Sequence, residues 1–129
     1  MSERAVIDAS AAIDVLHRSA RSVDVLEAIQ GFDLIAPSHI DAEVLSALHR
    51  GVRTGLDSRV HMVTRLSLWQ DWSIVRIPLP RLIGGATALL DSLRVPDAFY
   101  VALAEQEGVP LITCDRGMAA ATSRAILVA

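Results

Sequence analysis

Residues 93–115 read LRVPDAFYVALAEQEGVPLITCD, and this stretch decides the fold. Pro96 suits the first turn of a helix, where its missing N–H has no partner to lose. Asp97 follows, facing the positive end of the helix dipole. Phe99, Val101, Ala102, Leu103 and Ala104 supply a buried side, and Gly108 is placed to stop the helix. Pro110 leads into Leu111-Ile112-Thr113, a short apolar run of the buried-strand kind, and Asp115 stands just beyond its end. A helix packed on a parallel strand runs antiparallel to it. The helix start and the strand end then share one edge of the sheet, which brings Asp97 and Asp115 to the same side.

The same alternation runs through the chain. Ala5-Val6-Ile7 is an apolar run closed by Asp8; a helix follows to about residue 18, with Ser10 its expected N-cap. A second helix is expected over residues 22–30, with Val23, Leu26 and Ile29 on one face and Gly31 as its stop. Leu34-Ile35-Ala36 reads as a strand. Ser38 and Asp41 resemble a capping box for a helix over residues 40–50, with Ile40, Val44, Leu45 and Leu48 inward and Gly51 its stop. Glu43 lies in its first turns. A helix over residues 57–71 carries Val60, Val63, Leu66 and Trp69 in a stripe expected to face the core. Residues 74–77 form a strand closed by Pro78 and Pro80, and a weaker helix, interrupted by Gly84-Gly85, runs to about residue 93. A short helix over residues 117–121 and an edge strand over residues 125–128 end the chain. The expected architecture is α/β, with a mostly parallel sheet of about five strands and helices on both faces, in one domain spanning residues 1–129.

Composition narrows the function. The 129 residues are 52% hydrophobic with a net charge of −3, which suits a packed core and argues against binding nucleic acid by bulk charge. No apolar run approaches the roughly 20 residues of a membrane span. The N-terminal MSERAVIDAS lacks the apolar core of a signal peptide, so the expectation is a cytoplasmic protein. One cysteine, Cys114, allows neither an intrachain disulfide nor a Cys-rich zinc site. His39 and His49 read as helix-surface residues. Trp69 and Trp72 read as core or dimer packing rather than as base-stacking residues.

Parallel α/β sheets bind ligands at the carboxyl ends of their strands. Asp8, Glu43, Asp97 and Asp115 all map to that edge. Each has a bland alternative: a cap, an Asx-turn or a solvated helix position. Together, four carboxylates would repel one another, raising the pKa of at least one, unless a cation joined them. Oxygen ligands without Cys or clustered His favour Mg2+, with Mn2+ a possible substitute. Such ions can activate a water and stabilise a leaving oxygen.

The chain resembles a PIN domain of the VapC toxin type. The resemblance rests on VIDASAAIDVL at residues 6–16, IAPSHIDAEVLSAL at 35–48 and VPDAFYVALAEQEGVPLITCDRGMAAA at 95–121. It implies an α/β/α sandwich and a metal-dependent ribonuclease belonging to a toxin–antitoxin pair. The family's four acids fall on Asp8, Glu43, Asp97 and Asp115, and its hydroxyls near the site on Ser10 and Thr113. An RNA substrate, a cognate antitoxin covering the site and a homodimer are implied with them. Arg94 and Arg116, close to the acids in sequence, are candidates for substrate positioning, with Arg50 and Arg53 behind them. Pro96 departs from the aromatic or aliphatic residue common in the family. A phosphoacceptor receiver and an Asp-nucleophile phosphatase both resemble the chain poorly, because each needs a lysine and all 12 basic residues here are arginine. The remaining alternative is a catalytically weak PIN-like module that binds RNA or protein.

Overall fold

Five apolar runs become five parallel strands: β1 (Glu3–Ile7), β2 (Phe32–Pro37), β3 (Ile74–Ile77), β4 (Leu111–Thr113) and β5 (Ala125–Leu127). The computed structural model describes residues 2–129; Met1, at the head of the N-terminal stretch read above, lies outside them. The strands lie in the order β3-β2-β1-β4-β5, every adjacent pair parallel. β1 is central because its Ala5, Val6 and Ile7 have no exposed surface, and a strand covered on both faces reads as continuous apolar sequence. β2 and β3 are added to one side of β1, and β4 and β5 to the other. The order therefore reverses between β1 and β4, and the crevice at such a switch point is where open α/β sheets bind ligands.

The helices are α1 (Ala9–Leu16), α2 (Ser22–Ile29), α3 (Ile40–Arg53), α4 (Arg59–Asp71), α5 (Ile83–Thr87), α6 (Val95–Glu107) and α7 (Arg116–Ala121), with a 3-10 turn (Leu79–Leu82) leading into α5. α1 packs on α2 and α3, and α3 on α4; on the other side α6 packs on α5 and α7 and lies against β1, β2 and β4. The result is the expected α/β/α sandwich. α6 and β4 match their reading closely. Pro96 lies in the first turn of α6, and Gly108 ends the helix in the left-handed region at φ +65°, donating its N–H to the Ala104 carbonyl. A Cβ at that φ is strained, which is why glycine suits the position.

Several local expectations are corrected. Asp8, not Ser10, caps α1; its side chain accepts from the Ala11 N–H. Ser38 and Asp41 form no capping box, and α3 starts without a side-chain cap. Asp41 instead accepts from the Trp69 indole at 2.8 Å and the Arg76 guanidinium at 2.8 Å. Those charge-assisted bonds outcompete a local cap and hold the Asp41 carboxyl below its ordinary range. α3 runs through Gly51 to Arg53; the left-handed glycine that follows is Gly55, at φ +78°. Val44 and Leu48 are fully buried, but Leu45 is half exposed. The stripe on α4 is turned outward at Val60 and Val63, and only Trp69 is buried. On α2 the buried residue is Val25, while Val23 and Leu26 are exposed.

The orientation of α3 makes a direct test. Leu48→Ala should lower unfolding free energy by about 2–5 kcal/mol, whereas Leu45→Ala should stay within about 0.5 kcal/mol. Urea unfolding of the two variants checks this, and equal losses would show that α3 buries a different face.

Candidate active site

Asp8 leaves the end of β1 directly into the first turn of α1, and only 1% of it is exposed. Its Oδ1 accepts from the Ser10 hydroxyl at 2.7 Å and the Ala11 N–H at 2.9 Å. Its Oδ2 accepts from the Thr113 hydroxyl at 2.5 Å. Burial nevertheless pushes the carboxyl up from 3.8 to about 6, the three hydrogen bonds opposing that rise and the charge of Asp115 adding a little to it. The expected raised pKa is present, but desolvation rather than mutual repulsion is its main cause. No basic side chain is among the groups acting on Asp8.

The same hydroxyls carry the network into the next strand. Thr113 Oγ1 accepts from the Asp115 N–H at 2.9 Å, and Ser10 Oγ accepts from the Cys114 N–H at 3.0 Å. Thr113 is fully buried. Its hydroxyl bonds to Asp8 and to the Asp115 backbone, so it holds the carboxylate in place. Ser10 does the same from α1. Asp115 caps α7 by accepting from the Met118 N–H through Oδ1 at 2.9 Å, and among the described residues nothing donates to its Oδ2. Cys114, pushed up to about 12 by burial and by neighbouring Asp14, stays a thiol at neutral pH.

The two helical acids are held differently. Glu43 Oε1 accepts from the Tyr100 hydroxyl of α6 at 2.6 Å and lies 3.6 Å from His39 Nε2. His39 Nε2 is also 2.9 Å from the Pro96 carbonyl; a carbonyl only accepts, so this nitrogen carries the hydrogen. The His39 ring tilts against Phe99 at 5.3 Å and Tyr100 at 4.8 Å. His39 is therefore part of the α3–α6 contact and not the surface residue expected. Burial, the Glu43 bond and the charges of Glu43 and Asp8 all push the Tyr100 hydroxyl upward, so it remains a donor. Asp97 sits in the first turn of α6 with its Oδ2 3.5 Å from Arg94 Nε. Arg94 is otherwise open to solvent, and Arg116 starts α7 on the exposed surface.

One environment thus links Asp8, Asp115, Thr113 and Ser10 directly, and Tyr100 stands between Asp8 and Glu43. Asp97 belongs to the same end of the sheet through α6. Among the described residues, no three His, Cys, Asp or Glu side chains stand close enough together to hold a metal ion as placed. Tyr100 and His39 were not expected from the sequence. The available signal was spacing: Tyr100 follows Asp97 by three residues and His39 precedes Glu43 by four, which puts each on the face of its acid.

The sequence matches the PIN domain family over residues 5–123. The chain belongs to the PIN-domain family. It is 38% identical over 120 residues to Ribonuclease VapC3 of Mycobacterium tuberculosis, covering 92% of this chain and 88% of that one. Ribonuclease VapC12 of the same organism is 37% identical over 118 residues, 88% of each chain. These likenesses place the chain in the VapC branch of the PIN family. The structure of PAE2754 from Pyrobaculum aerophilum superposes with a TM-score of 0.66 at 25% identity, covering 99% of this chain and 92% of that one. A toxin–antitoxin complex from Klebsiella pneumoniae shares the PIN fold, with a TM-score of 0.70 at 20% identity and coverage of 97% and 98%.

The buried Asp8 carboxyl makes stability depend on pH. Its folded-state pKa lies above its unfolded value, so the folded protein holds the proton over a range where the unfolded chain has lost it. That contribution is complete below about 3.8 and is lost as pH rises through about 6. In chelator, the parent protein should lose stability over this window, and Asp8→Asn, which can keep the cap, should not. At pH 8 the variant should be the more stable by on the order of 3 kcal/mol at most. Urea melts from pH 4 to pH 8 measure both slopes; matching slopes would show that the folded state does not hold the Asp8 carboxyl above its ordinary range.

Proposed function

We propose that this protein is a divalent-metal-dependent endoribonuclease, the toxin of a toxin–antitoxin pair, hydrolysing RNA phosphodiester bonds at Asp8, Glu43, Asp97 and Asp115. The observation that carries the reading is Asp8: a carboxylate buried at the switch point of the sheet, hydrogen-bonded on both oxygens, with no cation facing it among the described residues. Burying a carboxylate is costly unless a positive charge joins it. The names of the VapC relatives, ribonucleases, supply the chemistry that such a site would serve.

The residues fit Mg2+ or Mn2+. The donor set is oxygen throughout, which suits hard cations. Asp115 Oδ2 and Glu43 Oε2 receive no hydrogen bond from the described residues, and Asp8 Oδ2 receives one, so each acid keeps acceptor capacity for an ion. As placed, no three of the described acids gather tightly enough to share one ion; Mg2+ needs only one or two direct carboxylates and keeps several waters. Asp8, Glu43, Asp97 and Asp115 would hold it. When bound, such an ion supplies a more acidic water and charge neutralisation at the phosphate.

The chain's own groups do the rest. Thr113, Ser10 and the Ala11 N–H fix Asp8 so that its geometry does not depend on the ion. Ile7 and Ile112 are buried next to Asp8 and Thr113 in the chain, and Tyr100 is buried with its hydroxyl bonded to Glu43. Arg94, exposed and 3.5 Å from Asp97, and Arg116, exposed and next to Asp115 in the chain, are the proposed contacts to RNA phosphates, an orientation role because a guanidinium matches phosphate geometry. The proposed partners are RNA, a cognate antitoxin and a second copy of the chain; exposed Val60 and Val63 on α4 leave apolar surface for protein contacts. No described helix is long and apolar enough to cross a membrane, and action in the cytoplasm is proposed with the RNA substrate.

Asp8→Asn and Asp97→Asn should abolish cleavage of RNA in Mg2+ or Mn2+, a loss beyond the ~10–100-fold typical of removing an outer-shell partner. Asp14→Asn should remain active, because Asp14 is turned to Arg21, at 3.1 Å. Purified proteins are compared by gel assay, and growth arrest on expression without antitoxin is the corresponding measurement in cells. Full activity of Asp97→Asn, or of the parent in chelator, would overturn the assignment; a folded, metal-binding parent that cuts no RNA would favour the binding-module reading.

A further inference from the structure

α3 and α6 each carry one acid of the proposed site, and each sends a ring to the other helix. From α3, His39 Nε2 donates to the Pro96 carbonyl of α6, immediately before Asp97, at 2.9 Å. From α6, the Tyr100 hydroxyl donates to Glu43 Oε1 of α3 at 2.6 Å. The two bonds run in opposite directions between the same two helix starts, forming a cross-brace. Both rings are largely buried and tilt against each other at 4.8 Å. No contact of comparable polarity joins these helix starts elsewhere among the described residues.

We propose that His39 and Tyr100 are positioning residues of the metal site, setting the separation of Glu43 from Asp97 and committing Glu43 to bind through Oε2. This rests on the metal-dependent reading given above. The geometry supports it in two ways. The Tyr100 bond occupies Oε1, and His39 Nε2 stands 3.6 Å from the same atom, so Oε2 is the oxygen left open. An O–H to carboxylate bond at this length is also among the stronger ones available to a side chain, and it fixes the rotamer of a glutamate whose side chain is only partly buried. Asp8 needs no such brace, since two hydroxyls and a backbone N–H hold it. Asp115 is held by its own cap. Glu43 is the acid whose position depends on another helix, and the brace supplies that dependence. Outer-shell groups of this kind orient ligands and typically change metal affinity by about 10–100-fold.

Tyr100→Phe and His39→Phe remove one bond each while keeping an aromatic ring in the packed cluster. Mn2+ binding is measured on the full chain by electron paramagnetic resonance of the free ion, beside circular-dichroism melts and RNA cleavage against Mn2+ concentration. Each folded variant should bind Mn2+ about tenfold or more weakly than the parent, with cleavage returning at saturating Mn2+ and KM for RNA unchanged. Parental Mn2+ affinity in either folded variant overturns the brace, while parental binding and cleavage in the unaltered chain leave the nuclease reading standing. A parent that binds no Mn2+ overturns both. Should Tyr100→Phe fail to fold, His39→Phe carries the test alone.

Discussion

The hydrogen bond from Thr113 to Asp8 is the constraint on which the site depends. It closes the gap between the ends of β1 and β4, the two strands between which the sheet order reverses. Thr113 Oγ1 can make this bond because the parallel register pairs Ile7 with Ile112, which leaves the next residues of both strands side by side. The same hydroxyl accepts from the Asp115 N–H, and Ser10 repeats the arrangement toward Cys114. β1, α1, β4 and α7 are thereby joined through one carboxylate. Satisfying a buried polar group in this way specifies one geometry, since a partly satisfied network in a low-dielectric interior is expensive.

The four acids are unequal, and their environments explain how. Asp8 is buried and over-determined; its raised pKa is the residual cost of desolvation that three hydrogen bonds do not cancel. Asp115 does two things, ending one strand and starting a helix with one oxygen while leaving the other open. Glu43 is positioned from a neighbouring helix. Asp97 gains from the start of α6 and has exposed Arg94 beside it. A site divided between a rigid centre and a more accessible rim can hold a fixed geometry and still admit a long polyanion.

Strand positions were legible in the sequence because buried parallel strands are apolar on both faces. Leu111-Ile112-Thr113 and residues 74–77 match their reading to the residue, and the helix between Pro96 and Gly108 is punctuated at both ends. Side-chain direction was less legible. Periodicity identifies Val60 and Val63, or Val23 and Leu26, as sharing a face, but it carries no information on whether another element covers that face. α3 does not stop at Gly51, because glycine there keeps helical backbone, and the left-handed turn comes at Gly55. The local spacing of Asp41 from Ser38 suggests a cap, but Trp69 and Arg76 offer it stronger partners from distant segments. The roles of His39 and Tyr100 were hidden for the same reason: their partners lie 57 residues away, a separation that local spacing does not encode. The places of the four acids are legible by topology, since each lies where a strand ends or a helix begins.

The central claim is that an ion joins these carboxylates at the β1–β4 edge. Anomalous diffraction from crystals of the full chain grown with Mn2+ tests it most directly. The account predicts a Mn2+ peak at that edge, bounded by Asp8, Glu43, Asp97 and Asp115, with Asp8 still bonded to Thr113. A peak elsewhere on the molecule, or none at this edge with the ion in excess, would contradict it.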